Sequence, residues 1–164
     1  MTASRHNRQR GFTMTELLTV ILIFALLITL AIPSYRDMVS NNCIVSYNHT
    51  LISAIQLARS EAVKRSASIN VTAISSNWGF GLNVWEDDGD GTMQTAEVIR
   101  EMALSCGDAT ITESGGDTEF VFNTTGGVDA TGSFNICDGR TGERGSQVSF
   151  TVTGRPSSSQ ITCP

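Results

Sequence analysis

The residues best placed to do chemistry lie in the segment EDDGDGTMQTAE, Glu86 to Glu97. Glu86, Asp88, Asp90 and Glu97 stand at its first, third, fifth and last positions, and Gly91 stands at the sixth. That spacing follows a twelve-residue calcium loop, in which carboxylate oxygens surround a hard cation and the glycine allows a sharp turn. Two features weigh the other way. Glu stands first where Asp is usual, and the preceding GLNVW reads as a strand rather than a helix. The competing expectation is a polar hairpin tip carrying two Asp-Gly turn signals. Calcium is therefore a candidate ligand, and no other cofactor is expected.

The four cysteines, Cys43, Cys106, Cys137 and Cys163, are widely spaced and include no C-x-x-C, which weakens zinc and redox readings. An even count in a small domain outside a membrane reads as two disulfides. Cys137 and Cys163 flank QVSFTVTG, and a bridge between them is expected, leaving Cys43 to Cys106. The alternative is the C-terminal bridge alone, with Cys43 and Cys106 as small apolar fillers. His6 and His49 fall in unrelated segments, and no G-x-S-x-G, P-loop or H-E-x-x-H occurs. An enzyme is not expected.

The formal net charge is -5. Without Arg5, Arg8 and Arg10 the chain keeps 8 basic residues against 16 acidic ones, a net of -8. Such a body repels phosphate backbones, so any nucleic-acid contact has to be local.

The most constraining element is RQRGFTMTELLTVILIFALLITLAIPSY. Phe12 to Ile32 would span roughly 31 Å as a helix, enough for the hydrocarbon core of a bilayer. The arginines before it place the N-terminus in the cytoplasm by the positive-inside bias. Glu16 is out of place in an ordinary anchor, because a carboxylate inside hydrocarbon costs a few kcal/mol. Cleavage between Gly11 and Phe12 would supply its partner, a free α-amine.

These residues closely resemble the N-terminus of type IV pilins and pseudopilins: Gly11 before the cut, Phe12 after it, Glu16 four residues on, a long apolar helix, and Pro33 followed by Ser-Tyr. Met14 and Thr15 depart from the usual aliphatic pair on the packing surface. ARSEAVKRS, Ala58 to Ser66, resembles the end of the first helix in the GspH/FimT group of minor pilins and pseudopilins. The resemblance implies removal of a leader, residues 1–11, by the prepilin peptidase, and N-methylation of Phe12. It also implies inner-membrane anchoring with a periplasmic head, and assembly with other pilin subunits into a type IV pilus or type II secretion pseudopilus, with Glu16 setting register. Some FimT-like pilins bind DNA through a C-terminal G-R-x-R stretch. Gly154 and Arg155 match it, but Pro156 and Ser157 follow, so the second Arg is missing. Arg140 and Arg144 are the candidates to add charge. DNA uptake is thus the second functional reading, and a tight turn with a solvated Arg is the plain one.

The expected architecture is α+β. A transmembrane helix over 12–33 continues as an amphipathic helix over 34–66 and packs on an antiparallel β-sheet head over 67–164. Pro33 should kink or loosen the helix. Ile44, Asn48, Leu51, Ile55, Ala58 and Ala62 form its buried stripe. The strand candidates are SINVTAI, WGFGLNVW, VIREMAL, ATIT, TEFVFN, QVSFTVTG and QITC. Phe80, Leu82, Val84, Phe120, Phe122, Phe150 and Val152 are read as their buried face.

Overall fold

The structure, a computed structural model, describes residues 12–164. One helix, α1, covers Met14–Arg65 and carries Pro33 within it. Pro33 has no N–H, so the Thr29 carbonyl lacks its usual donor, yet α1 continues on both sides. The chain forms two compact units, the first ending at Met38 and the second running Val39–Pro164.

The described part of the first unit is α1 up to Met38. Its apolar side chains, Leu17 through Ile32, are exposed in the single chain. Thr19 and Thr29 turn their hydroxyls back onto the carbonyls of Thr15 and Leu26 at 2.7 and 2.8 Å. Between Leu17 and Ile32 the two hydroxyls are thus turned back onto the helix, in an otherwise apolar surface.

In the second unit, Val39–Arg65 of α1 covers two antiparallel sheets. The strands are β1 (Ile69–Ala73), β2 (Gly81–Glu86), β3 (Val98–Ala103), β4 (Thr110–Glu113), β5 (Glu119–Phe122), β6 (Gly132–Cys137), β7 (Arg144–Phe150) and β8 (Pro156–Thr162). One sheet has the order β3-β2-β1-β5, the other β4-β6-β7-β8. The expected head held one sheet. Two form because the strand after the β3–β4 connection joins β6, while β5 returns to pair with β1.

The helix stripe is buried as a set, with Leu51, Ala54, Ile55, Ala58 and Ala62 at 2% exposure or less. Alanines at this spacing let the sheets approach the helix backbone closely. Ile69, Val71, Leu82, Val84, Phe120, Phe122, Phe134, Ile136, Val148 and Phe150 fill the space beneath. Edge-to-face contacts order the rings: Trp78–Phe134 at 4.8 Å and Phe120–Phe150 at 5.0 Å between centroids. Two residues read as strand interior are not. Phe80 ends a short 3-10 turn, Trp78–Phe80, and Val152 lies in the β7–β8 connection; both are more than half exposed. Strand β2 is buried along nearly its whole length, so its burial does not alternate.

Candidate functional site

At the N-terminal end, Thr13 precedes the first turn of α1. Its Oγ1 accepts the Glu16 backbone N–H at 3.2 Å, and the Leu17 N–H donates to the Thr13 carbonyl. Thr13-Met14-Thr15-Glu16 therefore has the T-x-x-E spacing of a helix start, a signal present in the sequence and not used there. Glu16 is the acidic residue of that first turn, where the helix dipole favours negative charge. Phe12 and Glu16 are exposed in the single chain, four residues apart on either side of the cap. Gly11, the expected cleavage position, lies outside the described residues.

The acidic loop takes a different form from the ligand set expected for it. Among the described residues, the carboxylates that come within 4.8 Å of one another are those of Asp87, Asp88 and Asp90. Glu86 is turned aside by Arg65, whose Nη1 donates to Glu86 Oε2 at 2.8 Å. Glu97 Oε2 accepts the Gln94 N–H at 2.8 Å. The expected four, Glu86, Asp88, Asp90 and Glu97, thus do not converge, because two of them close the ends of the loop. Within it, Asp87 Oδ1 accepts from the Gly89 and Gly91 N–H groups, and Asp90 Oδ1 from the Thr92 N–H and hydroxyl. The Thr92 hydroxyl bond, followed by the Thr92 N–H, holds the Asp90 carboxyl below its ordinary pKa. These are the bonds of a turn with side-chain acceptors.

The cysteines pair as Cys43–Cys106 and Cys137–Cys163, with Cα separations of 5.5 and 5.7 Å. The first bridge joins α1 to the β3–β4 connection, where the Cys106 N–H also donates to the Tyr47 hydroxyl at 2.9 Å. The second closes the far end of the β6-β7-β8 meander over Gly145. A Cβ on Gly145 would lie 2.5 Å from Cys163 Sγ.

The three arginines considered for DNA are not one patch. Arg140 is engaged by its neighbours: its Nε and Nη2 donate to Asp138 Oδ2 at 2.9 and 2.6 Å, and Nη2 also donates to Asn41 Oδ1 at 2.8 Å. The Arg140 side-chain bond is the main cause of the lowered Asp138 pKa, outweighing burial. Arg144 pairs in register with Thr162, at the end of β8, whereas Arg155 precedes its start at Pro156. The length of β8, roughly 20 Å at about 3.3 Å per residue, separates them. A bridge that staples the tail to the sheet therefore keeps these charges apart.

One polar contact was not legible in advance. Asn48, 9% exposed, donates from Nδ2 to the hydroxyls of Ser146 and, at 2.7 Å, Ser158. It stands where the apolar underside of α1 gives way to the polar outer strands β7 and β8. Next to it a groove of about 430 Å³ opens, lined by Asn41, Ile44 and Val45 of α1 and by Arg144, Ser158 and Gln160.

Residues 48–158 match the family described as type II transport protein GspH. Residues 6–32 match the prokaryotic N-terminal methylation motif. Among solved structures, the chain is similar to the type IV minor pilin FimU of Pseudomonas aeruginosa strain PAO1 in two crystal forms. One aligns at 27% identity with a TM-score of 0.57, covering 70% of this chain and 90% of FimU. The other aligns at 23% identity with a TM-score of 0.60, covering 76% and 90%. No curated protein matches the chain.

Proposed function

The chain belongs to the GspH family of minor pilins and pseudopilins, and from that premise we propose that it acts in the initiation and assembly of a type IV pilus or type II secretion pseudopilus. Its contribution is structural rather than enzymatic. The single observation that carries this reading is the N-terminal segment. An apolar helix surface, exposed from Leu17 to Ile32, starts in a capped turn that holds one acid, Glu16.

A surface of this extent needs cover. Before assembly the inner membrane provides it, with the N-terminus cytoplasmic and the head periplasmic. After assembly the helices of neighbouring pilin subunits do. Removal of residues 1–11 by the prepilin peptidase leaves Phe12 with a new α-amine. Glu16 of the adjoining subunit pairs with that amine as subunits enter the filament, because two opposite charges at short range in low dielectric offset each other's desolvation. One acid per helix thus sets the axial register that an apolar surface alone leaves free to slide.

The test is the mature chain and its Glu16→Ala variant. Mass spectrometry of membrane-extracted protein should show a methylated Phe12 at the N-terminus for both. The variant should insert normally but enter filaments poorly, since it offers no acid to the α-amine of the adjoining subunit. Incorporation of Glu16→Ala at the wild-type level rules out the registering role. A role in DNA uptake would instead show as binding that falls steeply with salt.

A further inference from the structure

Four strand edges bound the two sheets, and three of them are guarded or occupied. β3 carries Arg100 and Glu101 in its middle, charges of the kind that keep strand edges from pairing. β4 has four residues, and the Trp78–Phe80 turn lies beside it. The free side of β5 is taken by the chain that follows: Val121 exchanges bonds with the main chain and side chain of Asp129, and Phe122 forms a bridge with Val128.

β8 differs from all three. Its seven residues, PSSSQIT, include no charge. The Cys163 N–H donates to the Glu143 carbonyl at 2.9 Å, so at Cys163 the main chain faces β7. In an antiparallel ladder that orientation recurs at every second residue. Ile161, Ser159 and Ser157 therefore bond to β7, and Thr162, Gln160 and Ser158 turn their N–H and C=O groups outward. Pro156, which has no N–H to offer, falls in the outward set, as a proline beside a ladder must. Among the described residues no main-chain or side-chain group bonds to the outward N–H and C=O groups of Ser158, Gln160 and Thr162. The helix-facing side chains of this strand, Ser158 and Gln160, form one wall of the groove whose other wall is Asn41, Ile44 and Val45. Asn48 holds the Ser158 hydroxyl in place.

We propose that the open edge of β8 takes an extended segment of an adjacent filament subunit as a fifth strand of the β4-β6-β7-β8 sheet. The proposal rests on the assembly reading above. Alternating outward donors and acceptors at strand spacing match an extended backbone and little else. The absence of charge along β8 specifies an uncharged stretch on the partner. A strand added about 4.8 Å beyond β8 lays its helix-side residues over the groove, beside the exposed side chain of Val45, so an apolar residue fits there. The small contact argues for a neighbour rather than a freely diffusing protein. Three edge residues fall far short of the roughly 1,600 Å² of a self-sufficient interface. Subunits anchored side by side through their apolar helices supply the missing affinity as effective concentration.

Gln160 is the position to test, in the full-length chain within cells that build the filament. Gln160→Pro removes an outward N–H and leaves the β7 ladder untouched, so the melting temperature should stay near wild type while filament incorporation falls at least tenfold. Gln160→Val keeps the N–H and should incorporate normally. A photo-crosslinking residue at 160 should join the chain to another pilin subunit, identified by mass spectrometry; this arm decides the question if the proline variant fails to fold. Wild-type incorporation of Gln160→Pro, or a cross-link to a protein that is not a pilin, overturns the proposal and leaves the assembly reading intact. If the unmodified chain itself never enters filaments, both fall.

Discussion

The Arg65 guanidinium lies 2.8 Å from Glu86 Oε2, which ties the last residue of α1 to the end of β2 where the acidic loop begins. Arg65 Nε also donates to Glu61 at 2.6 Å. That bond is the main cause holding the Glu61 carboxyl below its ordinary pKa. The helix end thus draws one expected calcium ligand into a structural ion pair.

The consequence for metal binding is direct. With Glu86 on Arg65 and Glu97 capping the Gln94 N–H, the loop lacks the closing carboxylates that a calcium loop needs. We expect millimolar calcium to leave the melting temperature of the protein unchanged, as read by circular dichroism. A calcium-dependent rise that disappears in Asp90→Asn would instead make the Asp87, Asp88 and Asp90 trio a metal site.

Asp138 predicts an acid-sensitive step. Its folded-state pKa is lowered, chiefly by the Arg140 side-chain bond. A lowered carboxylate pKa stabilises the fold above the unfolded-state value, about 3.9, and the contribution is lost as pH falls through the folded value. Melting temperature measured from pH 6 down to pH 2 should therefore fall less steeply below about pH 4 in Asp138→Asn than in wild type. Parallel curves would mean that the pair contributes nothing to stability.

The two disulfides should not be equal. Cys137–Cys163 spans 26 residues and Cys43–Cys106 spans 63. Loop-closure entropy then assigns about 3.5 and about 4 kcal/mol to them. Paired Cys→Ser variants, compared by urea unfolding, should rank in that order. Loss of the Cys43–Cys106 bridge also frees the β3–β4 connection from α1, so amide exchange should quicken around Cys106. Equal midpoints for the two variants would refute the ranking.

Gly132 pairs in register with Phe150, and a Cβ there would overlap the Phe150 ring and lie 2.9 Å from Phe120. Both rings are buried in the aromatic cluster. Gly132→Ala is expected to destabilise by roughly 1–3 kcal/mol through overpacking. A stability within experimental error of wild type would show that the ring stack is looser than its geometry implies.

The long helix, its buried stripe and the α+β class were legible because each rests on local periodicity. Ile44, Asn48, Leu51, Ile55, Ala58 and Ala62 recur on one helical face, and all six are buried. β6 was not read as a strand. GSFNIC alternates in burial, but its glycine and asparagine resemble turn residues when taken alone. β8 was read only as QITC, because Pro156 and three serines signal a turn. A strand edge needs only backbone, and the lost proline N–H points away from β7.

The candidate sites divide in the same way. Glu16 and the Gly11–Phe12 junction are contiguous features of the chain, so the sequence alone is enough to single them out as candidates, and it determined the apolar span they introduce. Which carboxylates meet, which arginine is already engaged, and which strand ends a sheet depend on residues far apart in sequence. Asn48 meets Ser158 across 110 positions, and Arg140 meets Asn41 across 99. Only the tertiary structure decided those, because side-chain hydrogen bonds and open edges arise from the packing of α1 on two sheets and leave no periodic mark in the chain.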